Sequence, residues 1–118
     1  PVFRQSQYYY NAGKYLGLFE KIRTEENEVR SVLTSLGKKI YKMQYKERQL
    51  KLVSLILEHQ IFAEFFDEII ANFGELPENK TIQERMRELN VCNEGQIARR
   101  AQSVRCWLKW VFNLIRLS

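Results

Sequence analysis

Histidine and cysteine are nearly absent: the 118 residues include one His and two Cys. Cys92 and Cys106 have no second Cys or His near either at a metal-ligand spacing, which excludes a structural zinc site and points to two reduced thiols. A lone histidine such as His59 is more often a helix-surface or core residue than a ligand. The chain also lacks a nucleophile elbow and a phosphate-cradling glycine loop, so no catalytic set and no cofactor site is visible. No run approaches the roughly 20 apolar residues of a membrane span, and no signal-peptide pattern opens the chain; a soluble, cytoplasmic protein without membrane contact is expected. Internal repeats and low-complexity segments are missing as well. So is an initiator Met, and a chain opening on Pro1 is expected to be a piece of something longer.

What is present suffices for a core. Hydrophobic residues make up 45% and aromatics 13%, enough for one domain or two very small ones. The net charge of +5 is unevenly spread. Residues 1–59 carry eleven Lys or Arg against six acids, residues 60–93 three against seven, and residues 94–118 five against one. Basic ends flanking an acidic middle form the kind of footprint a nucleic-acid contact concentrates, although solvated helical proteins show similar blocks.

The stretch from Thr81 to Leu117 organises the chain. TIQERMRELN, a VCN break and EGQIARRAQSVRCWLKWVFNLIRL predict a short helix turned tightly onto a long basic one. Thr81 with Glu84, and Asn93 with Gln96, are capping-box pairs, which places two helix starts twelve residues apart with a three- or four-residue corner between. Those are the dimensions of a helix-turn-helix. On the long helix Ile97, Ala101, Val104, Leu108, Val111 and Ile115 recur at steps of four and three and form one stripe to be buried. Opposite project Arg99, Gln102, Ser103, Cys106, Lys109 and Asn113, flanked by Arg105 and Arg116 on one side and Arg100 on the other. Glu94, the only acid of this helix, belongs to the first turn, where the helix dipole favours it. Arg and Gln can read base edges bidentately and Lys can neutralise phosphate, so double-stranded DNA is the expected partner. The competing account of the same face is a solvated surface on a structural helix.

Nearer the start, Ser6 can cap a helix that ends at Gly17, with Tyr9, Ala12, Gly13 and Leu16 inward and Gln7, Tyr10, Asn11 and Lys14 outward. GLFEKIR and EVRSVLT are strand-like runs separated by the polar turn TEEN, and Thr34 caps the helix SLGKKIYKM. This order, carried by Tyr15, Leu16, Gly17, Leu18 and Phe19 before the turn and by Val32, Leu33, Thr34, Leu36 and Gly37 after it, resembles the second half of a winged helix. The resemblance makes residues 6–16 a recognition-type helix, with Arg4, Gln7, Asn11 and Lys14 as its DNA contacts, and the strands a wing. A complete winged helix has one or two helices upstream of that one, and only Pro1 to Gln5 precede it here. Glu25, Glu26 and Glu28 at the wing tip would repel phosphate, so the tip is not expected to grip a DNA backbone.

From Tyr45, YKERQLKLVSLILEH predicts an amphipathic helix carrying Leu50, Leu52, Val53, Ile56 and Leu57. QIFAEFFDEIIANFG follows, closed by Gly74, with Ile61, Phe62, Phe65, Phe66, Ile69, Ile70 and Phe73 broad enough to be buried on more than one side. These two helices are expected to be the central core. Taken together, RQSQYYYNAGKYLGLFE, VLTSLGKKI, YKERQLKLVSLILEH and TIQERMRELN with GQIARRAQSVRCWLKW resemble the tandem winged-helix modules attached to type II restriction endonucleases and related prokaryotic defence proteins. The resemblance implies a target-recognition module beside a separate nuclease domain. The single pair of strand-like runs set among helical segments predicts a mainly α fold with one short β-hairpin near residues 18–33, helix-turn-helix or winged-helix-like, in two units: 1–43, a partial winged-helix-like unit, and 44–118, a helical unit ending in the helix-turn-helix.

The sequence also carries one nuclease-like string. Asp67 with Glu78, Asn79 and Lys80 matches the Asp and Glu-x-Lys pattern of metal-dependent restriction nucleases. Asp67 lies in a predicted helix and Glu78 and Lys80 in a Pro-containing loop, with no strand pair to converge them, so the expectation is a non-enzymatic module without a metal. The alternative to DNA binding is a helical interaction or scaffold domain that packs Tyr8, Tyr10, Trp107 and Trp110 on another domain of the parent protein.

Overall fold

The computed structural model describes the backbone of residues 11–117 and the side chains of residues 11–115. Residues 11–15 are helical (α1). They are followed by β1 (Phe19–Arg23), β2 (Val29–Leu33), α2 (Ser35–Tyr41), α3 (Tyr45–Leu57), α4 (Gln60–Ala71), α5 (Asn79–Glu88) and α6 (Glu94–Leu117). The fold is mainly helical with a single two-stranded hairpin among the described residues, as the sequence pattern predicts. The chain divides into two compact units, Pro1–Leu55 and Ile56–Ser118, so α3, expected whole in the second unit, carries the division.

In the first unit local chemistry sets each boundary. Gly17, at φ 81°, ends α1, with the Gly17 amide donating to the Lys14 carbonyl (3.0 Å) and the Leu18 amide to the Gly13 carbonyl (2.7 Å). This paired closure needs a left-handed residue at its centre, which glycine adopts without steric cost. Gly13 is buried and Asn11 and Lys14 are exposed, as the helical period predicts. Ser6, Gln7, Tyr9 and Tyr10 lie outside the described residues, as does Arg4.

The strands pair antiparallel, Phe19 with Leu33 through Arg23 with Val29. At the tip the Thr24 amide donates to the Glu28 carbonyl (2.8 Å), the Asn27 amide donates to the Thr24 carbonyl (2.9 Å), and Asn27 stands at φ 66°. That is a three-residue loop with a left-handed closing residue, a position Asn tolerates. Thr34 then joins three elements. Its hydroxyl accepts from the Gly37 amide (3.0 Å) as the N-cap of α2 and donates to the Gly17 carbonyl (2.6 Å), while its amide donates to the Leu18 carbonyl (2.9 Å). A Cβ on Gly37 would collide with that same Leu18 carbonyl oxygen, so a residue without a side chain is required where α2 starts against the end of α1.

The second unit is built on three helices. Ile61, Phe62, Phe65 and Ile69 of α4, Ile82 and Met86 of α5, and Ile97, Ala101, Leu108 and Val111 of α6 are buried. Phe62 stacks on Trp107 with ring centroids 5.6 Å apart. Arg85 joins α5 to α4 through Glu64 (2.9 Å) and Glu68 (2.6 Å), its guanidinium lying over the Phe65 ring at 4.6 Å.

Helices α4 and α5 depart from the sequence pattern. First, α5 starts at Asn79 rather than at Thr81, with Glu78 at the N-cap and no side-chain cap bond, so the Thr81 and Glu84 capping box is not used. No breaker stands between Pro77 and Thr81, and the helical ladder extends back until the Ile82 amide meets the Glu78 carbonyl (3.1 Å). The helix starts therefore lie fifteen residues apart, at Asn79 and Glu94, and the corner is the five residues 89–93. Second, α4 buries one side only. Its packing partner in this unit covers the face of Ile61, Phe62, Phe65 and Ile69, while Ile70 is 55% exposed and Phe73, past the helix end at φ 58°, is 99% exposed.

Candidate nucleic-acid interface

The corner between α5 and α6 is closed by backbone and charge together. Asn90 takes φ 52°, the Asn90 amide donates to the Arg87 carbonyl (3.1 Å), and the Val91 amide donates to the Met86 carbonyl (3.2 Å). This is the left-handed closure of Gly17 repeated with Asn. Across the corner Arg87 grips the Glu94 carboxylate, Nε at 2.9 and 3.1 Å and Nη2 at 2.9 Å. The Glu94 hydrogen bonds hold the Arg87 guanidinium above its usual pKa, and the Glu68 hydrogen bond does the same for Arg85. Both arginines are neutralised within the protein.

Helix α6 sorts its side chains by face. Ile97, Ala101, Leu108 and Val111 are buried and Val104 is half-buried, but Ile115 is exposed, so the apolar stripe is sealed only as far as Val111. On the opposite face Arg99, Gln102, Cys106 and Lys109 are exposed, with Arg100 on one flank. Ser103 and Asn113, expected to be exposed, are half-buried. Arg105 is exposed but committed, since its Nε donates to the Pro77 carbonyl (3.1 Å) and fastens the loop before α5. Among the described residues Arg99, Arg100, Gln102 and Lys109 have no hydrogen-bond or ion-pair partner within the protein. Arg99 and Lys109 lie about 15 Å apart along the axis at 1.5 Å per residue.

The remaining expected site residues are in the first unit. Asn11 and Lys14 are exposed on α1, while Arg4 and Gln7 lie outside the described residues. At the hairpin tip Glu25, Glu26 and Glu28 are exposed, with Arg30 3.8 Å from Glu28. Of the nuclease-like string, Asp67 is exposed on α4, Glu78 precedes α5 and Lys80 lies in its first turn. No group of three or more His, Cys, Asp or Glu among the described residues is placed to hold a metal ion.

The structure exposes a cationic cluster that helical periodicity does not flag. Lys38, Lys39, Tyr41 and Lys42 at the end of α2, and Tyr45 and Lys46 at the start of α3, are all exposed, Tyr41 by 72% and Tyr45 by 73%. The signal in the sequence is Lys-Lys-x-Tyr-Lys-x-x-Tyr-Lys, four lysines and two tyrosines in nine residues. Arg48 locks this corner, its Nη2 donating to the Tyr41 carbonyl (3.1 Å) and the Met43 carbonyl (3.0 Å).

The family model described as Domain of unknown function (DUF7226) matches residues 2–116. No curated protein and no solved structure matches the chain.

Proposed function

The chain belongs to this family, DUF7226, and from its own residues we propose that it is a DNA-binding, target-recognition module that docks the exposed face of α6 on a duplex. The observation that carries the proposal is the set of unpartnered side chains on that face. Arg85 and Arg87 are neutralised by carboxylates and Arg105 is tied to a carbonyl, which leaves Arg99, Arg100, Gln102 and Lys109 directed at solvent on one helix. Guanidinium and amide groups near the start of the helix suit base edges, and an ammonium farther along suits phosphate. Lys14 and Asn11 on α1 are the second, weaker contact in this proposal. The module acts by binding alone, in the cytoplasm, with other domains of its parent as further partners. The restriction or defence setting rests on the resemblance of its sequence to tandem winged-helix modules.

A specific observation favours a second function. Ile70 of α4 and Phe73 just past its end leave an apolar edge, which suits a helical interaction domain better than a DNA reader. Trp107, one of the aromatics expected to carry such an interface, stacks on Phe62 instead. Titration with duplex DNA over a range of salt concentrations separates the two. Phosphate neutralisation makes affinity fall steeply with salt, whereas an apolar interface does not depend on duplex at all. Absence of duplex binding at low salt would remove the DNA proposal and leave the interaction domain.

A further inference from the structure

The lysine- and tyrosine-bearing corner between α2 and α3 has an organisation that a solvated helix end does not require. Lysines in the last turn of a helix complement its dipole, and Lys38 and Lys39 occupy that turn. Lys42 and Lys46 lie beyond it, and two carbonyls of the corner, those of Tyr41 and Met43, are already taken by Arg48. Arg48 donates to carbonyls rather than to a carboxylate, so its charge adds to the local potential instead of being cancelled. From Lys38 to Arg48 there are five cations and one acid, Glu47, and no ion pair forms among them.

Tyr41 and Tyr45 bracket the three-residue corner. Arg48, in the first turn of α3, reaches the Tyr41 carbonyl and thereby holds the end of α2 against the helix that Tyr45 opens. Two rings nearly three-quarters exposed, each next to a lysine in sequence, are not explained by packing. Phosphate alone needs no aromatic surface, and in a duplex the base faces are hidden in the stack. A single strand offers both phosphates and free base faces, and proteins that bind one pair a cationic track with aromatic platforms.

We propose that this corner is a single-stranded DNA contact, with Tyr41 and Tyr45 stacking bases and Lys38, Lys39, Lys42 and Lys46 taking the phosphates between them. The choice of DNA as the source of the strand rests on the proposed function; the corner itself lies in the first unit and uses none of the α6 residues.

The test uses the full chain and the anisotropy of a labelled dT strand of about 12 nucleotides, within the span such sites cover. The double variant Tyr41→Ala, Tyr45→Ala should weaken dT binding at least about thirtyfold, at roughly 1–3 kcal/mol for each of two stacked bases, and leave duplex binding within about twofold. Because both rings are exposed the variant should fold, and Tyr41→Phe with Tyr45→Phe, which keeps the rings, should bind dT as the parent does. Replacing Lys38, Lys39 and Lys42 with Ala should lower the salt slope on dT by about two, at roughly 0.7 per phosphate. Arg99→Ala should leave dT binding intact, so that failure at α6 and failure at this corner are told apart. Equal dT affinity in the parent and the Tyr→Ala double variant would overturn the proposal. So would tighter binding of a U-rich RNA strand, or a Tyr-dependent preference for vesicles of anionic lipid over the dT strand.

Discussion

Two helical corners, one in each unit, are closed by opposite uses of arginine. Between α5 and α6 the guanidinium of Arg87 meets the carboxylate of Glu94, and the charge is spent inside the corner. Between α2 and α3 the guanidinium of Arg48 meets only carbonyls, and the corner remains as positive as its lysines make it. The α5–α6 corner therefore contributes shape to any DNA contact while the cations come from farther along α6, whereas the α2–α3 corner is itself the charged surface. Counting Lys and Arg along the chain cannot separate these cases, because the separation depends on which acceptor each arginine reaches. Three arginines of the second unit, Arg85, Arg87 and Arg105, hold the fold together, and Arg99 and Arg100 on the same unit do not.

The largest expected effect removes what supports the α6 face. Leu108 is fully buried beneath it, and Leu108→Ala should destabilise the second unit by about 2–5 kcal/mol through lost transfer energy and a cavity. Both tryptophans, Trp107 and Trp110, lie on α6, so urea unfolding followed by tryptophan fluorescence reports on this unit. A loss below about 1 kcal/mol would mean the stripe is not a core face. The matching perturbation in the first unit is Gly37→Ala. Its Cβ would meet the Leu18 carbonyl oxygen, which is backbone and cannot rotate away, so a cost of about 1–3 kcal/mol is expected. Amide exchange of α2 should speed up accordingly, and unchanged protection there would show that α2 does not start against the end of α1.

Features set by a few neighbouring residues were legible in the sequence. The left-handed residue at Gly17, the Thr34 cap, the hairpin and the two faces of α6 follow from backbone sterics, a short hydrogen bond and helical period, none of which needs a distant partner. What was not legible depends on tertiary neighbours. A capping box at Thr81 is only a local option, and the backbone passed it over for an earlier start. Arg105 has its acceptor 28 residues away, at Pro77, so it looked the same as the unpartnered Arg100. Phe73 looked like core because it continues the period of α4, yet the helix ends before it and turns it outward. The lysine corner was hidden for the converse reason: a well-capped helix accounts for its residues without asking where their side chains point.

Arg99 and Lys109 differ in position along one helix. If α6 enters a major groove by its first turns, as proposed, Arg99 and Gln102 would lie nearest the base edges and Lys109, about 15 Å on, would meet the backbone. Arg99→Ala should cost about 1–3 kcal/mol on the preferred site and blur sequence preference. Lys109→Ala should weaken all duplexes alike and lower the salt slope by about one. Titrations of both variants against specific and scrambled duplexes decide the matter, and equal sequence-independent losses would mean that α6 only holds phosphate.

The smallest effect expected is also the one that tests whether arginines differ in role on a single helix. Arg105 and Arg100 are both exposed on α6, and by charge alone each would be worth the same to a bound duplex. Their surroundings differ: Arg105 donates to the Pro77 carbonyl across the loop before α5, and Arg100 donates to nothing among the described residues. Arg105→Gln removes the bond that ties this loop, and the net worth of one such hydrogen bond is about 0.5–1.5 kcal/mol of stability. Arg100→Gln removes only charge and should leave stability within about 0.5 kcal/mol. On duplex DNA the order reverses, with Arg100→Gln lowering the salt slope by about one and Arg105→Gln lowering it less, because its guanidinium is held toward the loop. Urea unfolding and salt-dependent titration of the same two proteins give both halves of the comparison. If the two variants match in stability, the contact with Pro77 contributes nothing, and Arg105 rejoins Arg99, Arg100 and Lys109 as a fourth cation of the proposed DNA-facing surface.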